Sequence, residues 1–152
     1  PLEVGAGLGA LAVAAARRGH RVVATDLSGA ALEHARARAP EADGVWLQDD
    51  ITDTRLRGAF DVVLDRGCLH VLAADEAPRY AESLARLVRP GGRWILKSLT
   101  ADAARDARSY GPDELHALLG AAFELAEDHA STLPGPRDAT PARLFVLRRR
   151  SG

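Results

Sequence analysis

An open, doubly wound α/β sheet is the fold class this sequence predicts, and three observations carry the prediction. The chain opens on a short apolar strand that runs into a glycine-studded turn, Leu2-Glu3-Val4-Gly5-Ala6-Gly7-Leu8-Gly9-Ala10, and then into an alanine-rich helix. Apolar strands and helical stretches then alternate along most of the chain, the pattern of a parallel sheet with helical crossovers. The chain closes differently, on two strand-like runs with no helical pattern between them, and so short a connection joins antiparallel strands.

Taken in order, the first helix reads from Gly9 to about Arg18, and Gly19 supplies its C-terminal cap. Arg21 to Asp26 is a continuous apolar run ending in an acid, as a buried parallel strand does. Ser28 is placed to cap a helix from Gly29 to about Ala39, which Pro40 closes. Val45-Trp46-Leu47 is a third strand leading to Gln48-Asp49-Asp50-Ile51, and Phe60 to Asp65 is a fourth, opening onto Arg66-Gly67-Cys68-Leu69-His70. Tyr80, Leu84 and Leu87 fall on one face of a helix from about Glu76 to Val88. Arg89-Pro90-Gly91-Gly92 reads as a break before a fifth strand, Arg93 to Ser98. Pro112 to Leu119 is a helix with proline at a favourable first position. Phe123 to His129 and Arg143 to Leu147 form the closing hairpin, and Thr132 to Pro136 is a loop within it.

Composition narrows the function classes. The chain has 152 residues, 47% of them hydrophobic, enough for one domain with a full core. A formal net charge of −1 gives no basic field for nucleic acid or an anionic membrane. Apolar runs are too short to span a bilayer. The single cysteine, Cys68, cannot form an internal disulfide, which points to a reducing cytoplasm. Lys97 is the only lysine among the basic residues, a bias of composition. Because the glycine-motif strand begins at the second residue, a segment upstream of Pro1 is expected to be missing.

The glycine turn is a nucleotide-type cradle. Gly5, Gly7 and Gly9 let the backbone turn tightly and approach a ligand, and the helix that follows presents unpaired N–H groups. Gly5-x-Gly7-x-x-Ala10 fits the permissive dinucleotide pattern, with Asp26, seventeen residues after Gly9, placed to take a ribose hydroxyl. An NAD(P)-dependent oxidoreductase is therefore one reading.

Six ordered features point elsewhere. Glu3-x-Gly5-x-Gly7-x-Gly9, the strand-end acid Asp26, Asp50-Ile51, Phe60-Asp61-Val62-Val63-Leu64-Asp65, Leu87-Val88-Arg89-Pro90-Gly91-Gly92 and the closing hairpin together resemble the class I S-adenosylmethionine-dependent methyltransferases over nearly the whole chain. The resemblance implies a Rossmann-like sheet of order 3-2-1-4-5-7-6 with one antiparallel strand, built as a single domain over 1–152 that lacks its N-terminal segment. It implies S-adenosyl-L-methionine as cofactor, with Glu3 holding the turn and the ammonium end, Gly5, Gly7 and Gly9 forming the turn, and Asp26 accepting from both ribose hydroxyls. Leu27 would pack on the adenine, Asp50 would accept from its amino group, and the Ile51 N–H would donate to the ring. Asp65-Arg66-Gly67-x-Leu69 resembles the thiopurine methyltransferase group, which implies that Asp65 and Arg66 lie at the cofactor or substrate.

Other residues have plainer readings. Asp49 and Asp53 read as solvated turn formers, and the acids here lack the spacing of a metal site. Cys68 reads as a small buried hydrophobe. Arg66 and His70 are the candidates for a catalytic role, His70 as a base for a substrate proton or, equally, as a packed histidine at the head of a helix. Tyr80 reads as core. The function expected is methyl transfer to a sulfur, nitrogen or oxygen of a small-molecule acceptor, with a non-catalytic nucleoside-binding domain as the remaining alternative. Ser98 to Gly111, with Arg105 and Arg108, and the loop from Ser131 to Thr140 are where acceptor specificity is expected to lie.

Overall fold

The computed structural model describes residues 1–41, 44–104, 108–134 and 139–151. Arg105 and the tip of the 131–140 loop lie outside the described residues. The strands are β1 (Leu2–Val4), β2 (Val22–Asp26), β3 (Gly44–Gln48), β4 (Phe60–Arg66), β5 (Val88–Leu99), β6 (Phe123–Leu133) and β7 (Thr140–Arg149). The helices are α1 (Ala10–Ala16), α2 (Gly29–Arg38), α3 (Glu76–Leu87) and α4 (Pro112–Leu119). The seven strands form one sheet in the order β3-β2-β1-β4-β5-β7-β6, as the resemblance implies. All pairs are parallel except those of β7, which runs antiparallel to both β5 and β6.

β1 holds the centre with three residues. Leu2, Glu3 and Val4 are all buried and pair with β2 on one side and β4 on the other. The alternation of the strands then sorts the core into two layers. Leu2, Val4, Val63, Trp94, Leu96, Phe145 and Leu147 meet α3 and α4, with Tyr80, Leu84 and Leu115 contributed by those helices. On the opposite face Val22 and Ala24 meet Ala12 of α1 and Leu32 of α2, with Trp46 against them. Leu64, Ile95, Leu144 and Val146, farther along that second face, are only half-buried.

The helix ends follow the local signals. Ser28 Oγ accepts from the Ala31 N–H at 3.2 Å, and Gly19 takes a φ of 83° where α1 turns back into β2. Pro112 starts α4, and Glu114 Oε2 accepts from the Gly111 N–H at 3.0 Å. The Arg89-Pro90-Gly91-Gly92 break lies inside β5 rather than before it: the register against β4 steps from Phe60↔Val88 to Val62↔Arg93, so the turn residues are accommodated as an irregularity, with Gly91 at φ 73°. The hairpin strands are also longer than their apolar runs, because β6 and β7 go on pairing through polar residues as far as Leu133↔Thr140.

Candidate active site

A cleft of about 320 Å³ opens at the carboxyl ends of β1 to β4, lined by Gly5 and Thr25 below and by residues of the turns after β2, β3 and β4. This is where a doubly wound sheet binds its ligand, at the point where strand order reverses about β1. Asp26, Leu27, Asp50 and Ile51 all line it. Four residues far apart in the chain, each read from the sequence as donor contacts, are thus brought to one wall.

Asp26 sits at the end of β2. Its Oδ2 accepts from the Gly7 N–H at 2.7 Å and its Oδ1 from the Ser28 N–H at 2.8 Å. A carboxylate has about four acceptor sites, two on each oxygen, so one on each remains for a pair of hydroxyls. Leu27 is 64% exposed, an apolar surface that a flat ring would cover. Asp50 caps the short 3₁₀ turn Ile51–Asp53 through one oxygen, Oδ1, which takes the Thr52 N–H at 2.9 Å and the Thr52 hydroxyl at 2.8 Å. Those bonds hold its carboxyl below the usual aspartate range. Ile51 is buried at the base of the wall.

The three glycines divide by role. Gly5 (φ 59°) lies so close to the turn after β4 that a Cβ there would stand 2.7 Å from Cys68 Cβ. Gly7 (φ 52°) has open space where a Cβ would be, and its N–H is the one that orients Asp26. Gly9, expected at the cofactor, does not face the cleft: a Cβ there would stand 2.7 Å from the Trp46 ring and 2.8 Å from Ala35 Cβ. Its bareness lets α1 pack against α2 and β3, which is a different use of the same residue type.

Glu3 is 3% exposed, and its Oε2 accepts from the Ala12 N–H of α1 at 2.6 Å. Gly9, as N-cap of that helix, has no side chain to offer, so β1 supplies the cap from below. Burial pushes the Glu3 carboxyl up to about 7, against the lowering effects of the Ala12 N–H and of Arg66. Holding the turn is what its position provides.

Asp65 is corrected by its surroundings. Expected beside the cofactor, it is 2% exposed, and its oxygens take the N–H groups of Gly67 (2.9 Å), Cys68 (2.7 Å) and Leu69 (3.1 Å) and the hydroxyl of Tyr80 (2.5 Å). Every acceptor site is used, so the side chain shapes the turn after β4 and has nothing left to give a ligand. Burial raises its pKa even against the bonds from Tyr80, Cys68 and Leu69. Tyr80, read as core, is core and also the hydroxyl that closes this network.

Arg66 is exposed and lines a separate hollow with Lys97 rather than the cleft, while its neighbours Gly67 and Cys68 do line the cleft. Burial pushes the Cys68 thiol far up, which makes it a packed thiol and not a nucleophile. His70 lies in the 3₁₀ turn Leu69–Val71, outside the cleft lining, with Nδ1 buried and unpartnered among the described residues. Burial lowers its pKa, partly offset by Asp65.

Sequence reasoning missed part of the wall. Asp49 is no solvated turn former: it lines the cleft, and its Oδ2 is buried without a hydrogen-bond partner among the described residues. Val71, Leu72 and Glu76 complete the far side, between the end of the 3₁₀ turn after β4 and the first residue of α3. An orphaned acceptor, a half-free carboxylate pair of oxygens and an exposed leucine fit a ligand with a hydroxylated ribose and a flat base carrying an N–H donor.

Comparison with known proteins identifies the family. Residues 2–92, more than half of the chain, match the methyltransferase-domain family. The chain belongs to the class I S-adenosylmethionine-dependent methyltransferases. S-adenosyl-L-methionine is the cofactor of that family. The ubiquinone biosynthesis O-methyltransferase of Alkalilimnicola ehrlichii is 39% identical over 129 residues, covering 82% of this chain and 48% of the relative. The chain thus spans about half the length of that curated relative. The 1,6-didemethyltoxoflavin-N1-methyltransferase of Burkholderia thailandensis, solved with its substrate and S-adenosylhomocysteine, superposes with a TM-score of 0.81 at 25% identity, over 99% of this chain and 70% of the other. A methyltransferase from Methanosarcina mazei matches the fold of 99% of this chain and 92% of its own at a TM-score of 0.88 and 15% identity. Among the described residues, no helix of this chain is long and apolar enough to cross a membrane.

Proposed function

We propose that this chain is the donor-binding and catalytic domain of a methyltransferase that moves a methyl group to an oxygen, nitrogen or sulfur of a small molecule, and that residues 1–152 act as one domain. The observation that carries the reading is Asp26: a strand-end carboxylate, oriented by the Gly7 and Ser28 N–H groups, with one acceptor site free on each oxygen at the mouth of the cleft. In this reading Asp26 takes the two ribose hydroxyls, Leu27 covers the adenine, and Asp50, the orphaned Asp49 oxygen and the Ile51 N–H read its edge. The Gly5–Gly7 backbone carries the methionine end, with Glu3 holding the turn beneath it. When bound, S-adenosyl-L-methionine supplies a methyl already activated by the sulfonium charge.

The residues' share of the chemistry is alignment and exclusion of water. His70, whose pKa burial lowers, is the candidate base if the acceptor must lose a proton. The related proteins differ in acceptor, an O-methyltransferase and an N-methyltransferase among them, which supports the reaction class and leaves the acceptor atom open. A net charge of −1 supports a small acceptor over nucleic acid, and the lone cysteine supports a cytoplasmic setting.

Thermal unfolding in the presence of S-adenosylhomocysteine, NADH and NADPH tests the reading, since a ligand of the folded state raises its melting temperature. S-adenosylhomocysteine alone is expected to do so. Stabilisation by a nicotinamide cofactor only would replace this reading with an oxidoreductase, and donor binding without transfer to any thiol, amine or phenol would leave a nucleoside-binding domain.

A further inference from the structure

Arg66 and Lys97 end neighbouring parallel strands and are register partners, so their side chains leave the sheet on the same face. Both line a hollow of about 220 Å³ whose remaining walls are Leu11, Leu64, Ile95, Leu144 and Asp65, the last with its oxygens taken up by the turn N–H groups and Tyr80. Neither cation forms an ion pair with a carboxylate among the described residues. The Lys97 ammonium donates to the Thr132 carbonyl at 3.0 Å, which fixes it beside β6 and, among the described residues, leaves two of its three N–H donors free. Two neighbouring cations repel each other, and an anion between them converts that repulsion into attraction.

This hollow shares no lining residue with the donor cleft, yet the two flank one turn: Asp65 and Arg66 face the hollow, and Gly67 and Cys68 face the cleft. A molecule seated in one lies a few residues' width from a molecule seated in the other. The turn between them is held by Asp65, which accepts from three of its N–H groups.

We propose that Arg66 and Lys97 form a two-cation seat for a carboxylate on an apolar body, and that this seat receives the anionic group of the methyl acceptor. The proposal rests on the donor occupying the Asp26 cleft. The donor's own α-carboxylate is the other source of the same chemistry, and the experiment is arranged to separate the two.

Because Lys97 is the only lysine in the sequence, its amine can be followed by itself. The chain is treated with limiting acetic anhydride, and acetylation of the Lys97 peptide is measured by mass spectrometry in four conditions: no addition, S-adenosylhomocysteine, benzoate with S-adenosylhomocysteine, and benzyl alcohol with S-adenosylhomocysteine. Benzoate is expected to slow acetylation about fivefold beyond S-adenosylhomocysteine alone, equivalent to about 1 kcal/mol, and benzyl alcohol to leave it unchanged. Arg66→Ala, on an exposed side chain, is expected to abolish the protection by benzoate, and Arg66→Lys to restore part of it. Equal acetylation with and without benzoate would reduce the pair to a solvated face and overturn the proposal. Full protection by S-adenosylhomocysteine, with nothing added by benzoate, would overturn it in favour of the donor's carboxylate. Failure of the donor reading shows separately, as no thermal shift with S-adenosylhomocysteine.

Discussion

Two aspartates at the ends of parallel strands, Asp26 on β2 and Asp65 on β4, look alike in the sequence and are opposites in the fold. Asp26 accepts two backbone N–H groups and keeps one acceptor site free on each oxygen in an open cleft. Asp65 accepts four donors, is buried, and keeps none. The same residue type at equivalent positions therefore keeps acceptor sites open to the cleft in one case and is used up by the chain itself in the other. What separates them is the number of hydrogen-bond donors that the following turn folds back onto the carboxylate.

Removing each carboxylate should break the pair apart most sharply. Asp65→Ala leaves three N–H groups and the Tyr80 hydroxyl without their partner, and is expected to lower unfolding free energy by about 3–5 kcal/mol in urea titrations. Asp26→Ala loses two partly exposed bonds and should cost only about 1 kcal/mol of stability. A smaller loss for Asp65 than for Asp26 would invert the comparison.

Glu3 is a third carboxylate of the same sheet, and its contribution is read by pH. Its pKa in the fold is about 7 against an ordinary value of 4.5, so between those values the folded chain binds more protons than the unfolded one. Stability contributed by this group therefore falls as pH rises from about 4.5 to 7, by about 3 kcal/mol in all, and is level above that window. Glu3→Gln keeps an acceptor for the Ala12 N–H and should flatten the profile by that difference. A Glu3→Gln profile as steep as the parent's would place the burial cost elsewhere, with Asp65 the next candidate because its pKa is also raised.

Tyr80→Phe sharpens the comparison with the least disturbance. It withdraws one of the four donors from Asp65 and should cost about 1–2 kcal/mol of stability while leaving S-adenosylhomocysteine affinity unchanged. Weaker binding in Tyr80→Phe would mean that the network around Asp65 reaches the donor after all.

Much of this was legible in the sequence because it depends on local periodicity. Alternating apolar runs set the strands, Ser28 and Pro112 set helix starts, and the connection between β6 and β7, without a helix, announced the antiparallel strand. Asp26, Leu27, Asp50 and Ile51 were legible as cleft-lining candidates since they sit at or within three residues of strand ends. The misplaced residues depend on tertiary contacts that spacing does not encode. Gly9 is bare because Trp46 and Ala35 crowd it, Asp65 is saturated because Tyr80 reaches it from α3, and Asp49 loses solvent only once the cleft wall closes. Arg66 and Lys97 become a pair only through the register of β4 on β5.

The account turns on Asp26 being the carboxylate that meets the donor. Calorimetric titration of S-adenosylhomocysteine into the parent chain and into Asp26→Ala measures that directly. Loss of charged hydrogen bonds to the ribose should weaken binding by about 1–3 kcal/mol, or about 5- to 150-fold in Kd. An unchanged Kd in the folded variant would contradict the assignment and place the ribose elsewhere in the cleft.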